Sequence, residues 1–284
     1  CQTCGAVIAI VSSLKLNKPV EKICIAEVKK NGIASDLYLG VRAAPILLSG
    51  HRFVLLFMQD LSAQQKLATL QRVFFHDLTN ILTALLGYSE ILALNSSGET
   101  LKTASIINKS AQNLYKEVVL QRILAHGELG DFQYSKENIP VSSILTETCD
   151  GLRLHPSANN KSLSVIPAGS DKAISSDRYI IIKILTNMLI NALEASDEGD
   201  EVQIWAEYPQ QDEIMFAVWN KKVIEESLKQ RIFQKNFSTK NMKGRGLGTY
   251  SMKLFGEEIL GGKVYFISQE ETGTTFYLKL CRNN

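Results

Sequence analysis

The stretch "DRYIIIKILTNMLINALEAS", residues 177–196, decides how the chain folds. Ile180, Ile184, Leu185, Met188 and Leu189 recur at three- and four-residue steps, the period of one buried helix face. Asn187 and Asn191 lie one turn apart and share a face of that helix. A polar pair in such an apolar helix must find partners or cost roughly 1–3 kcal/mol each. One reading makes them capping or surface asparagines. The other gives the amide oxygen of one asparagine to Mg²⁺ and its neighbour to phosphates.

Downstream, "FSTKNMKGRGLGTYSMKLF" (237–255) sets Gly244, Gly246 and Gly248 beside a helical run that starts near Leu247. Glycines let a backbone approach phosphates closely, and a helix N-terminus offers free N–H groups to an anion. Lys240, Lys243 and Arg245 add positive charge. The spacing is not that of a P-loop, and a Rossmann site would want the cluster after the first strand of a βαβ unit. "ETGTTFYLKL" (271–280) reads as a glycine-led last strand. With further strands expected at "FQYSK", "LSVIP", "EVQIWAEY", "IMFAVWN" and "KVYFIS", and helices at 140–153, 177–196, 225–232 and 247–260, residues 133–284 make an α/β or α+β sandwich.

Upstream the texture changes. Leu67, Leu70, Phe74, Ile81, Leu85, Tyr88 and Leu92 keep helical period until "NSSGET" at 95–100. A second periodic run follows, with Ile107, Leu114, Val118 and Leu124 on one stripe. Two long helices joined by a short polar link form an antiparallel hairpin. Such a hairpin cannot bury that apolar surface alone, whereas a homodimeric four-helix bundle can. Within its first helix stands "HDLTN", residues 76–80. A lone helix histidine is usually a filler, so His76 gains meaning only from the rest of the chain. Residues 1–60 alternate apolar and polar positions in short runs punctuated by Gly32, Gly40 and "SG" at 49–50, which reads as about four strands and tight turns. Asp60 and Ser62 at the junction suit an N-cap.

Taken in order, these pieces resemble a sensor histidine kinase. "NMLINALEAS" looks like the N box of its ATP-binding domain, "IFQKNFSTK" the F box, "GRGLGTYSMK" the second glycine box and "GTTF" the closing strand. That domain belongs to the superfamily shared with gyrase, the ninety-kilodalton heat-shock chaperone and the MutL proteins. "HDLTN" resembles the H box, and "FMQDLSAQQK" the end of a PAS sensor running into a signalling helix. The resemblance implies a multidomain α+β chain: 1–60 the end of a PAS-like sheet, 61–132 a dimerisation and phosphotransfer hairpin in a dimeric four-helix bundle, and 133–284 a catalytic sandwich of the GHKL type. It implies ATP and Mg²⁺ as cofactors, with Asn187, Asn191, Asn220, Lys240, Gly244, Gly246, Leu247, Gly248 and Thr274 around the nucleotide and Asn191 on the metal. His76 becomes the phosphoacceptor, with Asp77 and Asn80 beside it, and a response-regulator receiver domain the partner.

Two departures carry chemical weight. In "VWNKKVIEE", Asn220 stands where the family has an aspartate that accepts from the adenine amino group, and Lys221 and Lys222 replace a flexible turn. An asparagine oxygen still accepts that bond, without the charge that strengthens it, so modest ATP affinity is expected. Hydrolytic members of the superfamily have a glutamate one turn before the Mg²⁺ asparagine. Here that place is Asn187, which cannot act as a general base. Kinase chemistry is therefore favoured over a GHKL-type ATPase machine, and a degenerate kinase serving as dimeric scaffold or phosphotransfer protein is the alternative.

Bulk properties agree. The chain has 284 residues, 45 % apolar and 21 % charged, and a net charge of +2 gives no nucleic-acid footprint. No apolar run approaches the ~20 residues of a membrane span, so no direct membrane segment is expected. Five cysteines in an odd, scattered set suit a reducing cytoplasm rather than a disulfide framework. "CQTC" has the spacing of half a cluster site or of structural cysteines, and the start at Cys1 suggests a piece of something longer. His51, His126 and His155 have no surroundings comparable with those of His76.

Overall fold

The structure is a computed structural model that describes residues 4–30, 33–126, 134–167, 171–235, 237 and 247–282. It divides into two compact units, Cys1–Arg122 and Ile123–Asn284.

The first unit opens with a helix, α1 (Gly5–Leu16), in a region whose alternation suggested strands alone. It packs on a three-stranded antiparallel meander of β1 (Val20–Lys30), β2 (Ile33–Leu48) and β3 (His51–Asp60). Three strands, not four, make this sheet. The approach is close at Gly5, where any side chain would run into the carbonyl oxygen of Ile23. Ala9, Cys24, Val41 and Ala43 are buried between helix and sheet. Ser49 and Gly50, at φ 48° and 82°, form the tight turn that the "SG" pair suggests, joining Leu48 to His51. Gly40 is not a turn residue. It lies inside β2 opposite Ile23, with Leu61 packed over it.

β3 passes directly into α2 (Ser62–Leu94). Asp60 Oδ1 accepts the Ser62 N–H at 2.8 Å, Ser62 Oγ accepts the Tyr38 N–H at 2.9 Å, and Tyr38 O accepts the Leu61 N–H at 2.8 Å. The Ser62 hydroxyl and amide hold the Asp60 carboxyl below the usual carboxylate range. After a short link comes α3 (Gly98–His126), whose last residues, from Ile123, belong to the second unit. Asn108 donates to Ser89 Oγ at 2.9 Å between the two helices, where Leu82, Ser89, Ala104 and Ala111 are buried. The large residues of the apolar stripe point elsewhere, Leu67, Leu70, Phe74, Ile81, Leu85, Tyr88 and Leu92 all being exposed.

The second unit is a mixed five-stranded sheet with helices on one face. β4 (Glu137–Pro140) and β6 (Ala173–Ser176) form a small antiparallel pair. The strand expected at "FQYSK" is absent over Tyr134–Lys136 and begins instead at Glu137, and Phe132 and Gln133 lie outside the described residues. The main sheet runs β5 (Ser162–Val165), β7 (Glu201–Glu207), β8 (Glu213–Asn220), β10 (Gly273–Cys281), β9 (Lys263–Gln269), parallel between β5 and β7 and antiparallel elsewhere. Alternation, broken in β8 by the buried Ala217, buries Val202 and Ile204, Ile214, Phe216 and Val218, and Leu278 and Leu280. Over them pack α4 (Val141–Leu152), α5 (Arg178–Ala195) and α7 (Gly248–Leu254), the last extended by a π turn over Phe255–Ile259, while the short α6 (Glu226–Lys229) follows β8.

α5 starts at a fully buried cap. Asp177 Oδ1 accepts from the amides of Tyr179 at 3.0 Å and Ile180 at 3.3 Å, and Oδ2 accepts from Ser135 N–H at 2.9 Å. Substituting Asp177→Ala leaves three backbone donors without these acceptors. We expect a loss of about 2–4 kcal/mol from the stability of the second unit, read by urea unfolding. An unchanged midpoint would show that water replaces the cap without cost.

Candidate functional site

In the second unit a cavity of about 590 Å³ opens between α5, the end of β8 and the start of α7. Its volume falls in the range of ligand sites, roughly 300–1,000 Å³. Asn187, Asn191, Asn220, Leu247, Gly248 and Thr274 all line it, so six of the nine positions read as nucleotide-binding come together. Lys240, Gly244 and Gly246 lie outside the described residues. The sequence reading missed the apolar wall of Val223, Ile224, Leu228 and Ile232. Its signal was present in the four-residue spacing of Ile224, Leu228 and Ile232, although only Glu226–Lys229 of that stretch is helical.

Each polar residue is placed by identifiable contacts. Asn187 donates to Ser251 Oγ at 3.2 Å, and Ser251 donates to Gly248 O at 2.8 Å, which ties α5 to the first turn of α7. Asn220 ends β8 and is 4 % exposed. The Nδ2 atoms of Asn191 and Asn220 are buried without a hydrogen-bond partner. Native structures rarely leave buried amides so, because each costs about 1–3 kcal/mol. Two of them on one cavity are groups suited to a polar ligand.

A relay of hydroxyls fixes the segment after β8. Thr274 donates to Lys222 O at 2.7 Å and lies 2.7 Å from Ser268 Oγ, which accepts the Ile224 N–H at 2.9 Å. A hydroxyl has one hydrogen, so Ser268 must donate to Thr274. Thr274 thus lines the cavity with its proton already committed. At Gly273, φ is +76° and a side chain would strike Asn220 O. Lys222, which by resemblance replaces a flexible turn, is tethered to Asp197 at 2.5 Å. That hydrogen bond and charge lower the Asp197 pKa and raise that of Lys222.

The fit of a nucleotide rests on chain groups alone. The wall of Val223, Ile224, Leu228 and Ile232, with Phe276, suits a flat heteroaromatic ring, and the amides suit its polar edge and the phosphates. Among the described residues no cluster of three or more His, Cys, Asp or Glu could hold a metal. Mg²⁺ commonly takes one or two protein oxygens, with water and phosphate completing its shell, so the Asn191 amide on the cavity wall is compatible with that ion.

In the first unit, His76 is exposed on α2, its side chain 71 % accessible. Nδ1 lies 3.1 Å from Asp77 Oδ1, and Asn80 Nδ2 lies 3.4 and 3.5 Å from the two ring nitrogens. An ionised carboxylate only accepts, so with a neutral ring this pair places the proton on Nδ1 and leaves Nε2 with its lone pair. The three residues of "HDLTN" named from sequence therefore form one local group. His155, by contrast, accepts the Ser157 N–H at 3.2 Å in a 3₁₀ turn.

Residues 176–284 match the model of the histidine kinase-, DNA gyrase B- and HSP90-like ATPases. The chain is 22 % identical over 244 residues to the sensor protein SrrB of Staphylococcus aureus, covering 81 % of this chain and 41 % of that protein. It is 27 % identical over 232 residues to the histidine protein kinase SaeS of Staphylococcus aureus, covering 77 % of this chain and 65 % of that protein. The chain therefore spans less than two thirds of either relative. Among solved structures it is similar to the catalytic domain of the histidine kinase ThkA, at 24 % identity and a TM-score of 0.46 over 54 % of this chain and 99 % of that one. It is also similar to ThkA in complex with the response regulator TrrA, at 20 % identity and a TM-score of 0.49 over 96 % and 81 %. The domain and the curated relatives bear out the resemblance to sensor histidine kinases. They do not bear on the PAS-like sheet or on "HDLTN". Among the described residues no helix is long and apolar enough to cross a membrane.

The hydroxyl relay is open to test. Thr274→Val removes both of its bonds beneath the 222–224 wall and is expected to lower the stability of the second unit by about 1–3 kcal/mol. Thr274→Ser should stay within roughly 1 kcal/mol of wild type. Equal losses in the two variants, measured by denaturant titration, would assign the effect to the methyl group instead.

Proposed function

We propose that this chain is the phosphotransfer and catalytic part of a cytoplasmic sensor histidine kinase, which autophosphorylates His76 from Mg-ATP and passes the phosphoryl group to a response-regulator aspartate. The observation that carries this reading is the cavity in which Asn187, Asn191, Asn220, Gly248 and Thr274 converge, with two buried amides awaiting partners. The domain match over residues 176–284 supports ATP as the occupant. Leu247 and Gly248, with Lys240, Gly244 and Gly246, would hold the phosphates, and Asn220 the adenine amino group. Mg²⁺ bound at Asn191 would supply charge neutralisation on the phosphates. Nε2 of His76 attacks the γ-phosphorus in line as its bond to the β,γ-bridging oxygen breaks and ADP leaves, while Asp77 retains the proton on Nδ1 and stabilises the charge that develops on the ring. Asn80 positions the transferred group. Asn187, lacking a carboxylate, gives water no base, which favours transfer over hydrolysis.

Residues 61–132 would pair with a second copy as a four-helix bundle. The exposure of Leu67, Leu70, Leu85 and Tyr88 supports this, since a stripe of that length ordinarily meets a partner. Residues 1–60 would be the end of a PAS-like sensor sheet, and 133–284 the catalytic domain. A second reading, a dimeric scaffold or phosphotransfer protein with little ATP binding, is favoured by two features. Asn220 contributes no charge, and Lys222 is engaged with Asp197.

Incubation with γ-labelled ATP and Mg²⁺ separates the two. Kinase activity gives acid-labile, base-stable label that is lost in both His76→Ala and Asn191→Asp. Absence of label at millimolar ATP, with His76 still phosphorylated by a partner, establishes the scaffold. In the same assay Asn220→Asp should tighten ATP about tenfold, the effect of restoring a charged acceptor. Unchanged affinity removes Asn220 from the adenine contact. The bundle is tested by sedimentation: Leu85→Lys with Tyr88→Lys should convert a dimer to a monomer of unchanged helicity, and a wild-type monomer at high micromolar concentration would end the dimer proposal.

A further inference from the structure

Two cysteines of the first unit stand apart from the nucleotide chemistry. Cys4 is the residue before α1, and Cys24 lies on β1, yet their sulfurs are 3.6 Å apart. The approach depends on Gly5, whose missing side chain lets the first turn of α1 rest on the backbone of Ile23 beside Cys24. Cys4 is half-buried and Cys24 is buried, so one sulfur meets solvent and the other waits beneath it. The Cys4 sulfur makes no capping hydrogen bond of ordinary geometry. Even so, the Val7 amide, the Cys24 thiol and the Ala6 amide, in that order, hold its thiol below the usual cysteine range. The thiolate is the reactive form, and cysteines at helix N-termini are more often ionised at neutral pH. Cys149 provides the contrast, because burial pushes its thiol up to about 11.

We propose that Cys4 and Cys24 form an oxidisable dithiol, with Cys4 the attacking and Cys24 the resolving residue, closed to a disulfide by hydroperoxides. The Cys4 thiolate displaces hydroxide from hydrogen peroxide and becomes a sulfenic acid, its sulfur oxidised by two electrons. The Cys24 sulfur then attacks that sulfenic sulfur, the S–S bond forms, and the hydroxyl leaves as water with the Cys24 proton. Closure shortens the gap from 3.6 Å to about 2.05 Å, a movement within reach of side-chain rotation. Cys24 pairs with Leu39 and Leu39 with Asp60, so the dithiol lies in one cross-strand row with the carboxylate that accepts the Ser62 amide at the start of α2.

The test is peroxide titration of the full chain, with alkylation of remaining thiols and peptide mapping. A Cys4–Cys24 linked peptide should form and revert with dithiothreitol. The Cys4 thiol should disappear about tenfold faster than that of exposed Cys281. Cys24→Ser should halt the reaction at a Cys4 sulfenic acid trapped by dimedone, and Cys4→Ser should protect Cys24. Circular dichroism of both variants checks that α1 and the sheet persist. A Cys1–Cys4 linkage instead, or loss of Cys4 no faster than Cys281, overturns the proposal.

Discussion

The arrangement of the second unit depends on the Asp177 carboxyl group. It is fully buried, and its oxygens accept from three backbone amides, two on the first turn of α5 and one at Ser135. Burial of such a group is costly unless it is bonded this completely. Bonded so, it fixes the rotational phase of α5. The phase decides which residues face the sheet and which face the cavity: Ile184, Met188 and Leu189 go to the core, while Asn187 and Asn191 reach the cavity wall. A rotation of about half a turn would place apolar side chains against the ligand space and amides in the core.

Around that axis the polar groups fall into two kinds. Ser251, Ser268 and Thr274 spend their hydrogens within the protein and serve to hold α7 and the 222–224 segment. Asn191 and Asn220 leave a buried N–H unspent. A fold that satisfied every group would be more stable by a few kcal/mol, so the unsatisfied pair marks where stability yields to binding. The kinase proposal sets a nucleotide beside both amides, their oxygens toward the adenine amino group and Mg²⁺ and their N–H groups free to donate to other acceptors of that ligand.

Much of this was legible in sequence, for reasons that differ by element. α5 and the strands β7, β8 and β10 announce themselves because one face of each is buried, which writes a period of 3.6 or 2 into the residue order. α1 is hidden for the opposite reason. "GAVIAIVSSL" is apolar nearly throughout, so no period separates helix from strand. Gly40 misleads because its smallness accommodates Leu61, a contact with no local signature. β4 and β6 are four residues each, too short for alternation to register. The tether of Lys222 to Asp197 spans 25 residues of chain and is invisible to any local reading. The role of Asn220 came from resemblance, since one asparagine at a strand end says nothing by itself.

The hairpin shows the same division between size and position. Ile107 and Leu114, on the apolar stripe of α3, are exposed. α2 and α3 instead meet where Ala104, Ala111 and Ser89 are buried, pinned by Asn108. Small residues let helix axes approach closely, and one polar bond fixes their register without adding much stability. The large side chains are thereby left for a surface outside the hairpin. At its start, α2 is held by Leu61 and Ser62 against Tyr38, two hydrogen bonds that depend on the alignment of β2 with β3. A shift of either strand along the other would break these bonds together. The helix carrying His76 therefore takes its starting position from the sheet that precedes it.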